Sequence, residues 1–347
     1  MVLATVPDLQ HPLYGRRVFW NGFDFVQDFI HNFLQVDSKH VHSYSRGLVS
    51  PTTTSTDILV LSGACKHCST FRGLIIYIDG EAGKLQLLNP SKSKLNLIYL
   101  GVSEVSLPPD TTHIKLMFGA SAFRYNFSAL EQALQRQESV NITAKSKFVA
   151  YAASKCLPHR EKVFDALVKL GLEHDLGEVA ALGKCHGSAQ HAHTHRDVPA
   201  PAAARRNYPS NHLLFQPFRF VLCMENSDVQ HYMTEKIFNA YQAGAIPIYW
   251  GASSLAADMF HPDTFIAVDP ARPAPALARV LQIQRDPALL RRVLRTPVLL
   301  RGRLTARKYF AGDIPLAAAG DRRRRKSSLS NYIWGAILQR LPPLTPP

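Results

Sequence analysis

FRFVLCMENSDVQHYMTEKIFNAYQAGAIPIYWG, residues 218–251, packs a strand, a loop, a helix and a second strand into one stretch. The apolar runs FRFVLCM and AIPIYW, each bounded by polar or glycine residues, read as buried strands. Between them Ile237, Phe238, Ala240 and Tyr241 recur at helical spacing. Thr234 is placed to cap that helix with its hydroxyl, and Gly244 to end it. The helix therefore starts at the carboxyl end of a strand. In open parallel sheets ligands bind there, and a helix start offers unpaired N–H groups and partial positive charge to a phosphate. Lys236 in the first turn opposes the macrodipole unless an anion lies beside it, which favours a diphosphate. Glu225, Asn226 and Ser227 at the strand end, with Tyr232 and Glu235 across the loop, suit sugar and ribose hydroxyls. From spacing alone, a capped helix with solvated polar neighbours fits equally.

Outward from that stretch the alternation repeats. KFVAYAAS (147–154) is a strand, followed by a helix with Val163, Phe164, Leu167 and Val168 on one face, and FIAVD (265–269) closes the series. Upstream, RRVFW (16–20) precedes a helix through Val26, Phe29, Ile30, Phe33 and Leu34. Four compact apolar runs follow, at 57–63, 73–80, 95–101 and 113–118. Strands alternating with helices predict parallel sheets in two α/β units. The length of 347 residues agrees with that number at roughly 150 residues per domain. The stretch from Gly171 to Phe218 is poorly patterned and reads as a surface excursion. Its alternating His191, His193 and His195 lack acidic or cysteine partners at ligand spacing, so a solvated loop is preferred over a metal site.

Lysine and arginine exceed aspartate and glutamate by 14. From Ala271 onward sixteen basic residues face only Asp286, Asp313 and Asp321, so nearly all the excess is C-terminal. A basic end is an electrostatic address for an anionic partner and does not bear on the fold. The segment 322–340 joins Arg322–Lys326 to Tyr332, Ile333, Trp334, Ile337 and Leu338. It reads either as a surface for membrane contact or as a partly disordered tail with a helix docked on the body. No run reaches the ~18 apolar residues of a membrane span, and the N-terminus lacks signal-peptide order. The five cysteines, an odd number, leave the redox compartment open. The P-loop, G-x-G-x-x-G and G-x-S-x-G patterns are missing, as is any D-x-D with which to hold a metal on a diphosphate. No cofactor or metal is expected. Nucleic acid is not expected as a partner, because the arginine run sits at one terminus without interleaved aromatics.

MENS, HYMTEK and AGAIPIYWG, in that order and spacing, resemble the core of the α1,3-fucosyltransferases, glycosyltransferase family 10. His231 stands where many members carry Asp, and Met224 replaces the usual Phe. FVAYAASKCLPHREKVFDAL and ALGKCHG are similar to upstream family segments, and GLIIYIDGEAG to the strand whose turn carries the proposed general base. The resemblance covers roughly residues 14–270 and is strongest from 147. It implies a GT-B architecture, two Rossmann-like domains facing across a cleft: an acceptor domain at 14–145, a GDP-fucose-binding domain at 146–315, and a basic tail at 316–347. It implies that Arg160 and Lys236 hold the pyrophosphate, with Glu225, Asn226, Ser227, Tyr232, Thr234 and Glu235 around the donor, and Glu81 as catalytic base. The reaction would be inverting transfer of fucose from GDP-fucose to a GlcNAc hydroxyl, in α1,3 linkage, on a glycan or glycoprotein acceptor. The family points to the Golgi, whereas the chain by itself points to the cytoplasm. The alternatives are an inactive or truncated member, and a basic-tail binding module on an α/β body. Truncation before Asp321 separates these, since a transferase is expected to keep turnover without the tail.

Overall fold

The structure, a computed structural model, describes residues 5–22, 24–44, 53–63, 71–80, 95–102, 107–108, 110–117, 119, 134, 142–188, 211–302, 305 and 329–344. The chain divides into two compact units, Met1–Ser128 with Arg307–Pro347, and Ala129–Ala306.

Among its described residues the first unit contains six strands: β1 (Val18–Asn21), β2 (Val41–Ser43), β3 (Ile58–Leu61), β4 (Leu74–Ile78), β5 (Leu97–Leu100) and β6 (Thr112–Ile114). All pair in parallel, in the order β2-β1-β3-β4-β5-β6. Along β3, β4 and β5 every residue is buried, as expected of parallel strands covered on both faces. Phe19, Leu59, Leu61, Ile75, Tyr77, Leu97 and Tyr99 form a hydrophobic core. After β1, helix α1 (Asp24–Asp28) runs into a π turn at Phe29–Phe33 and buries Val26, Phe29, Ile30 and Phe33.

The second unit holds β7 (Lys147–Tyr151), α2 (Pro158–Glu173), β8 (Val179–Ala181), α3 (Asn211–Phe215), β9 (Phe218–Met224), α4 (Glu235–Gln242), β10 (Ile246–Trp250), α5 (Ser253–Met259), β11 (Ile266–Ala267), α6 (Ala274–Arg285) and α7 (Pro287–Arg295). Its sheet is parallel throughout, in the order β11-β10-β9-β7-β8. In chain order within the unit this is 2-1-3-4-5, so the connections diverge between β7 and β9, and the ligand crevice of such a sheet opens there.

Two elements differ from the sequence reading for local reasons, and the C-terminal segment takes one of its two readings, a helix docked on the body. The stretch 171–218 contributes a sheet strand, β8, because three buried residues between Leu176 and Cys185 pair with β7; three residues give too short a period to see. Edge strand β2 went unread because its VHS is polar and only half-buried. The C-terminal helix α8 (Leu329–Arg340) belongs to the first unit: Ile333 and Ile337 are fully buried, and the Trp334 ring stacks on Phe33 at 5.9 Å. Arg340 donates to Thr112 Oγ1 at 2.7 Å, to Asn96 Oδ1 at 3.1 Å and to the Asp110 carbonyl. Glu81, His191, His193, His195 and Arg322–Lys326 lie outside the described residues.

Candidate functional site

The crevice between β7 and β9 is built around Arg160. The first turn of α2, opened by Pro158, sets its guanidinium across the end of β9. Nη2 donates to the Met224 carbonyl at 2.5 Å and to Asn226 Oδ1 at 2.9 Å, and Nη1 to the Lys155 carbonyl at 3.1 Å. Arg160 is 2% exposed, and Asn226 passes the network on by donating to the Tyr232 hydroxyl at 3.2 Å. Every one of these acceptors is neutral, so the arginine keeps its whole charge for a ligand.

On the other side of the same strand end stands Glu225, which is fully buried. It accepts the Thr234 N–H at 2.8 Å and the Thr234 hydroxyl at 2.7 Å, and it pairs with Lys236 Nζ at 3.3 Å. The cap expected from the Thr234 hydroxyl does not form. Glu225 reaches over from β9 and ties down the start of α4 through the Thr234 N–H and hydroxyl, and the hydroxyl oxygen accepts from Lys236 Nζ at 2.8 Å rather than from a first-turn N–H. Lys236 also meets Glu235 at 3.5 Å. Its unfavourable place at a helix start is therefore balanced by two carboxylates within the protein. Burial works to lower the Lys236 pKa, but Glu225 and Glu235 outweigh it and hold the ammonium above its ordinary value. The side chain remains 22% exposed, enough to meet a ligand.

Arg160, Glu225, Asn226, Tyr232, Thr234, Glu235 and Lys236 thus form two hydrogen-bonded groups joined through the backbone 224–226, with Ser227 half-buried beside them. His231 has φ +67. Asp, Asn and His are the non-glycine residues most tolerated in that left-handed region, so the departure at this position preserves the loop's geometry.

Several neighbours went unread in the sequence. Gly251 has φ +121, and a Cβ there would lie 2.6 Å from Glu225 Cγ; only glycine lets β10 end beside the buried carboxylate. His159 packs its ring 4.6 Å from that of Trp250. Burial pulls the His159 pKa down, the hydrogen bond to the Glu225 backbone opposes this, and Arg160 adds to the lowering. Cys156 and Cys185 form a disulfide joining the loops that follow β7 and β8, and Cys223 is a buried thiol. Glu161 accepts the Tyr151 hydroxyl at 2.6 Å and the Gly187 N–H at 2.7 Å, fixing the same loop to α2. The signal for the disulfide was two cysteines each a few residues past one of two adjacent parallel strands. Chemically, the crevice offers two cations, buried hydroxyl and amide groups and the start of α4, a set suited to an anion with polar substituents. Among the described residues there is no group of three or more His, Cys, Asp or Glu placed to hold a metal ion.

Residues 142–294 match the model of Glycosyltransferase family 10 (fucosyltransferase) C-term, and that range contains the whole crevice. An α-(1,4)-fucosyltransferase of Arabidopsis thaliana is 32% identical over 112 residues, 31% of this chain and 26% of that protein. An α-(1,3)-fucosyltransferase FucT of Helicobacter pylori is 42% identical over 62 residues, 18% of this chain and 13% of that protein. The aligned part spans about a quarter or less of the length of these curated relatives. A solved α1,3-fucosyltransferase superposes with a TM-score of 0.52 over 80% of this chain and 81% of that one, at 16% identity. At that identity the likeness is one of fold, and it agrees with the expected GT-B class built from parallel α/β units.

Proposed function

We propose, for a chain whose residues 142–294 match the glycosyltransferase family 10 (fucosyltransferase) C-term model, transfer of L-fucose from GDP-fucose to a GlcNAc hydroxyl of a glycan, in α1,3 linkage and with inversion. The observation that carries this reading is Arg160, held across the β7/β9 crevice by Met224 and Asn226 within that domain. As the glycosidic bond breaks, the departing GDP gains negative charge. Cations fixed beforehand by the protein stabilise that charge most in the transition state. Arg160 and Lys236 take that role, with Tyr232, Asn226 and Glu235 toward the hydroxyls of the donor. Inversion needs one base to deprotonate the acceptor hydroxyl, and Glu81 is assigned to it.

Glu225 supports the donor site from behind, since it is fully buried and engaged with Thr234 and Lys236. The Cys156–Cys185 disulfide favours an oxidising compartment, in keeping with the Golgi lumen rather than the cytoplasm. With Ile333 and Ile337 buried in the first unit, membrane contact by the C-terminal segment falls to the Arg322–Lys326 charge. Among the described residues no helix is long and apolar enough to cross a membrane.

The test is GDP release from GDP-fucose by purified protein with and without N-acetyllactosamine, with GDP-mannose and UDP-galactose as control donors. Acceptor-dependent release from GDP-fucose alone is expected. Release from UDP-galactose instead would overturn the donor assignment. Silence with every donor, alongside tight GDP binding, would favour an inactive family member.

A further inference from the structure

Between Ala271 and Arg301 the chain carries seven arginines, no lysine and a single acid, Asp286. None of them belongs to the Arg160–Lys236 crevice. Asp286 is occupied at the start of α7, where it accepts the Ala288 and Leu289 N–H groups at 2.9 Å. Elsewhere among the described residues an arginine ordinarily sets its guanidinium on an acceptor, as Arg17 does on Asp57 and Arg272 on Asp269. Arg291, Arg292, Arg295 and Arg301 do not. All four are exposed, and none meets an acceptor among the described residues.

The amphipathic period of α7 sets their direction. Leu289, Leu290, Val293 and Leu294 are buried, which leaves Pro287, Ala288, Arg291, Arg292 and Arg295 outward. Arg295 lies one helical turn beyond both Arg291 and Arg292, so the three guanidinium groups are neighbours on one face. Like charges at that spacing destabilise a helix unless an anion lies over them. The helix dipole favours Arg292 and Arg295 in the last turn, but offers nothing to Arg291 in mid-helix or to Arg301 beyond the end. The chain after α7 runs beside Met259–His261, with Leu300 N–H on the Met259 carbonyl and His261 N–H on the Val298 carbonyl, and α7 itself packs on the adjoining turn Pro262–Thr264. Asp263 on that turn pairs with none of the four arginines. The turn precedes β11, so this surface lies toward the amino edge of the second unit's sheet, away from the crevice at the carboxyl edge.

An arginine fork meets an oxyanion through two parallel N–H bonds, whereas lysine offers a point charge, and every basic residue of this stretch is arginine. The exposed side chains between them, Pro287, Ala288 and Pro297, are small, and Leu300 at 36% is the one large apolar group exposed on the segment. Such a face lacks aromatic anchors for a protein partner, a wedge for a bilayer and platforms for bases. It suits a flexible chain of oxyanions held by charge-assisted hydrogen bonds. We propose that the outward face of α7, with Arg291, Arg292 and Arg295 at its centre and Arg301 at its rim, binds a sulfated polysaccharide. This surface is independent of the fucosyl transfer proposed above, and it holds the protein beside a polyanion without occupying the crevice.

The experiment measures binding of a heparin oligosaccharide to the full chain by calorimetry across a salt series, beside the same oligosaccharide desulfated, poly-glutamate, and phosphatidylserine vesicles. GDP affinity and melting temperature are read on every variant. Arg291→Ser, Arg292→Ser and Arg295→Ser together are expected to weaken heparin binding ~10-fold or more and to lower the slope of log affinity against log salt by about 2, with GDP affinity and melting temperature unchanged. Arg291→Lys, Arg292→Lys and Arg295→Lys together keep the charge but not the fork, and are expected to weaken binding by a smaller factor. Replacing Arg322–Lys326 with serines is the control for charge elsewhere on the chain, and most heparin binding is expected to survive it. Unchanged heparin affinity in the triple serine variant overturns the proposal. Equal affinity for desulfated heparin or poly-glutamate reduces the face to undirected charge, and a preference for the vesicles makes the partner a lipid. Either outcome overturns it, as does a wild type that binds none of the four. No arm reads fucosyl transfer, so failure of that reading leaves this test intact.

Discussion

The guanidinium of Arg160 and the carbonyl of Met224 are 2.5 Å apart, joining the helix that follows β7 to the last residue of β9 across the point where the sheet's connections diverge. A second bond from the same nitrogen to Asn226 Oδ1 at 2.9 Å uses the fork geometry of arginine, which a lysine does not possess. Arg160→Lys is therefore expected to lower GDP affinity ~10-fold or more even though charge is kept. Calorimetric titration with GDP checks this, and an unchanged dissociation constant would remove Arg160 from the donor site.

Lys236 has a proposed role in donor binding and a structural one beside Glu225, and the two separate by substitution. Lys236→Met leaves Glu225 buried without its ammonium partner, a loss of about 3–5 kcal/mol by the usual cost of an orphaned buried charge. The double variant Lys236→Met with Glu225→Gln removes that orphan and is expected to regain much of the stability while still failing to bind GDP. Urea unfolding beside GDP titration reads both, and recovery of GDP binding in the double variant would dismiss Lys236 as a ligand. The folded pKa of Lys236 is raised, so its contribution is fully present below the unfolded lysine value of ~10.4 and is lost only as pH rises through the higher folded value. Neutral-range pH dependence of GDP binding must come from elsewhere.

His159 gives folding stability a pH dependence in the mildly acidic range. Its folded pKa is depressed, chiefly by burial. Stability is therefore fully present above the unfolded histidine value of ~6.5 and is lost as pH falls from there through the folded value, where the unfolded chain takes up the proton first. Melting temperatures from pH 8 down to pH 5 are expected to fall less steeply in His159→Phe than in the wild type. Parallel curves would assign the acid loss to other groups.

The elements that the sequence disclosed are those with long buried periods: β3, β4, β5, β7, β9 and β10, and the helices α2 and α4. Hydrophobic period is a local property, and these runs are long enough to display it. What stayed hidden depended on distant partners. β8 is a strand because β7 lies beside it, and Gly251 is glycine because Glu225 comes within a bond length or two of where a Cβ would be. The residues gathered at the crevice were legible because they cluster within one strand–loop–helix, yet the same closeness hid how they divide between two hydrogen-bonded groups. Glu225, Asn226 and Ser227 are consecutive, but the strand's alternation turns Glu225 inward to Thr234 and Lys236 and leaves Asn226 to Arg160 and Tyr232.

The Cys156–Cys185 disulfide fastens the turn whose Lys155 carbonyl receives Arg160 Nη1. Replacing both cysteines with serine is expected to cost about 2–4 kcal/mol, the usual range for a native cross-link, and to weaken GDP binding because one end of the arginine clamp loosens. Thermal unfolding and GDP titration of the double-serine variant check this. A loss of stability without any loss of GDP affinity would confine the bond to a structural role.

The C-terminal segment divides into a charge and a helix, and they make opposite predictions. Truncation before Asp321 removes α8, whose Ile333 and Ile337 are fully buried in the first unit and whose Arg340 bonds to Thr112 and Asn96 beside the sheet. The expectation that a transferase keeps turnover without this segment is therefore reversed. Truncation is expected to abolish acceptor-dependent turnover by exposing the first unit's core, while GDP binding, assigned above to residues in the second unit, is expected to persist. Ile337→Ala alone is expected to destabilise by about 2–5 kcal/mol, the range for emptying a buried aliphatic site. Replacing Arg322–Lys326 with serines removes charge but none of these contacts, and is expected to leave turnover unchanged. Turnover in the truncated chain would show that the first unit holds its fold without α8, and loss of turnover in the serine variant would move the function of the tail from packing to charge.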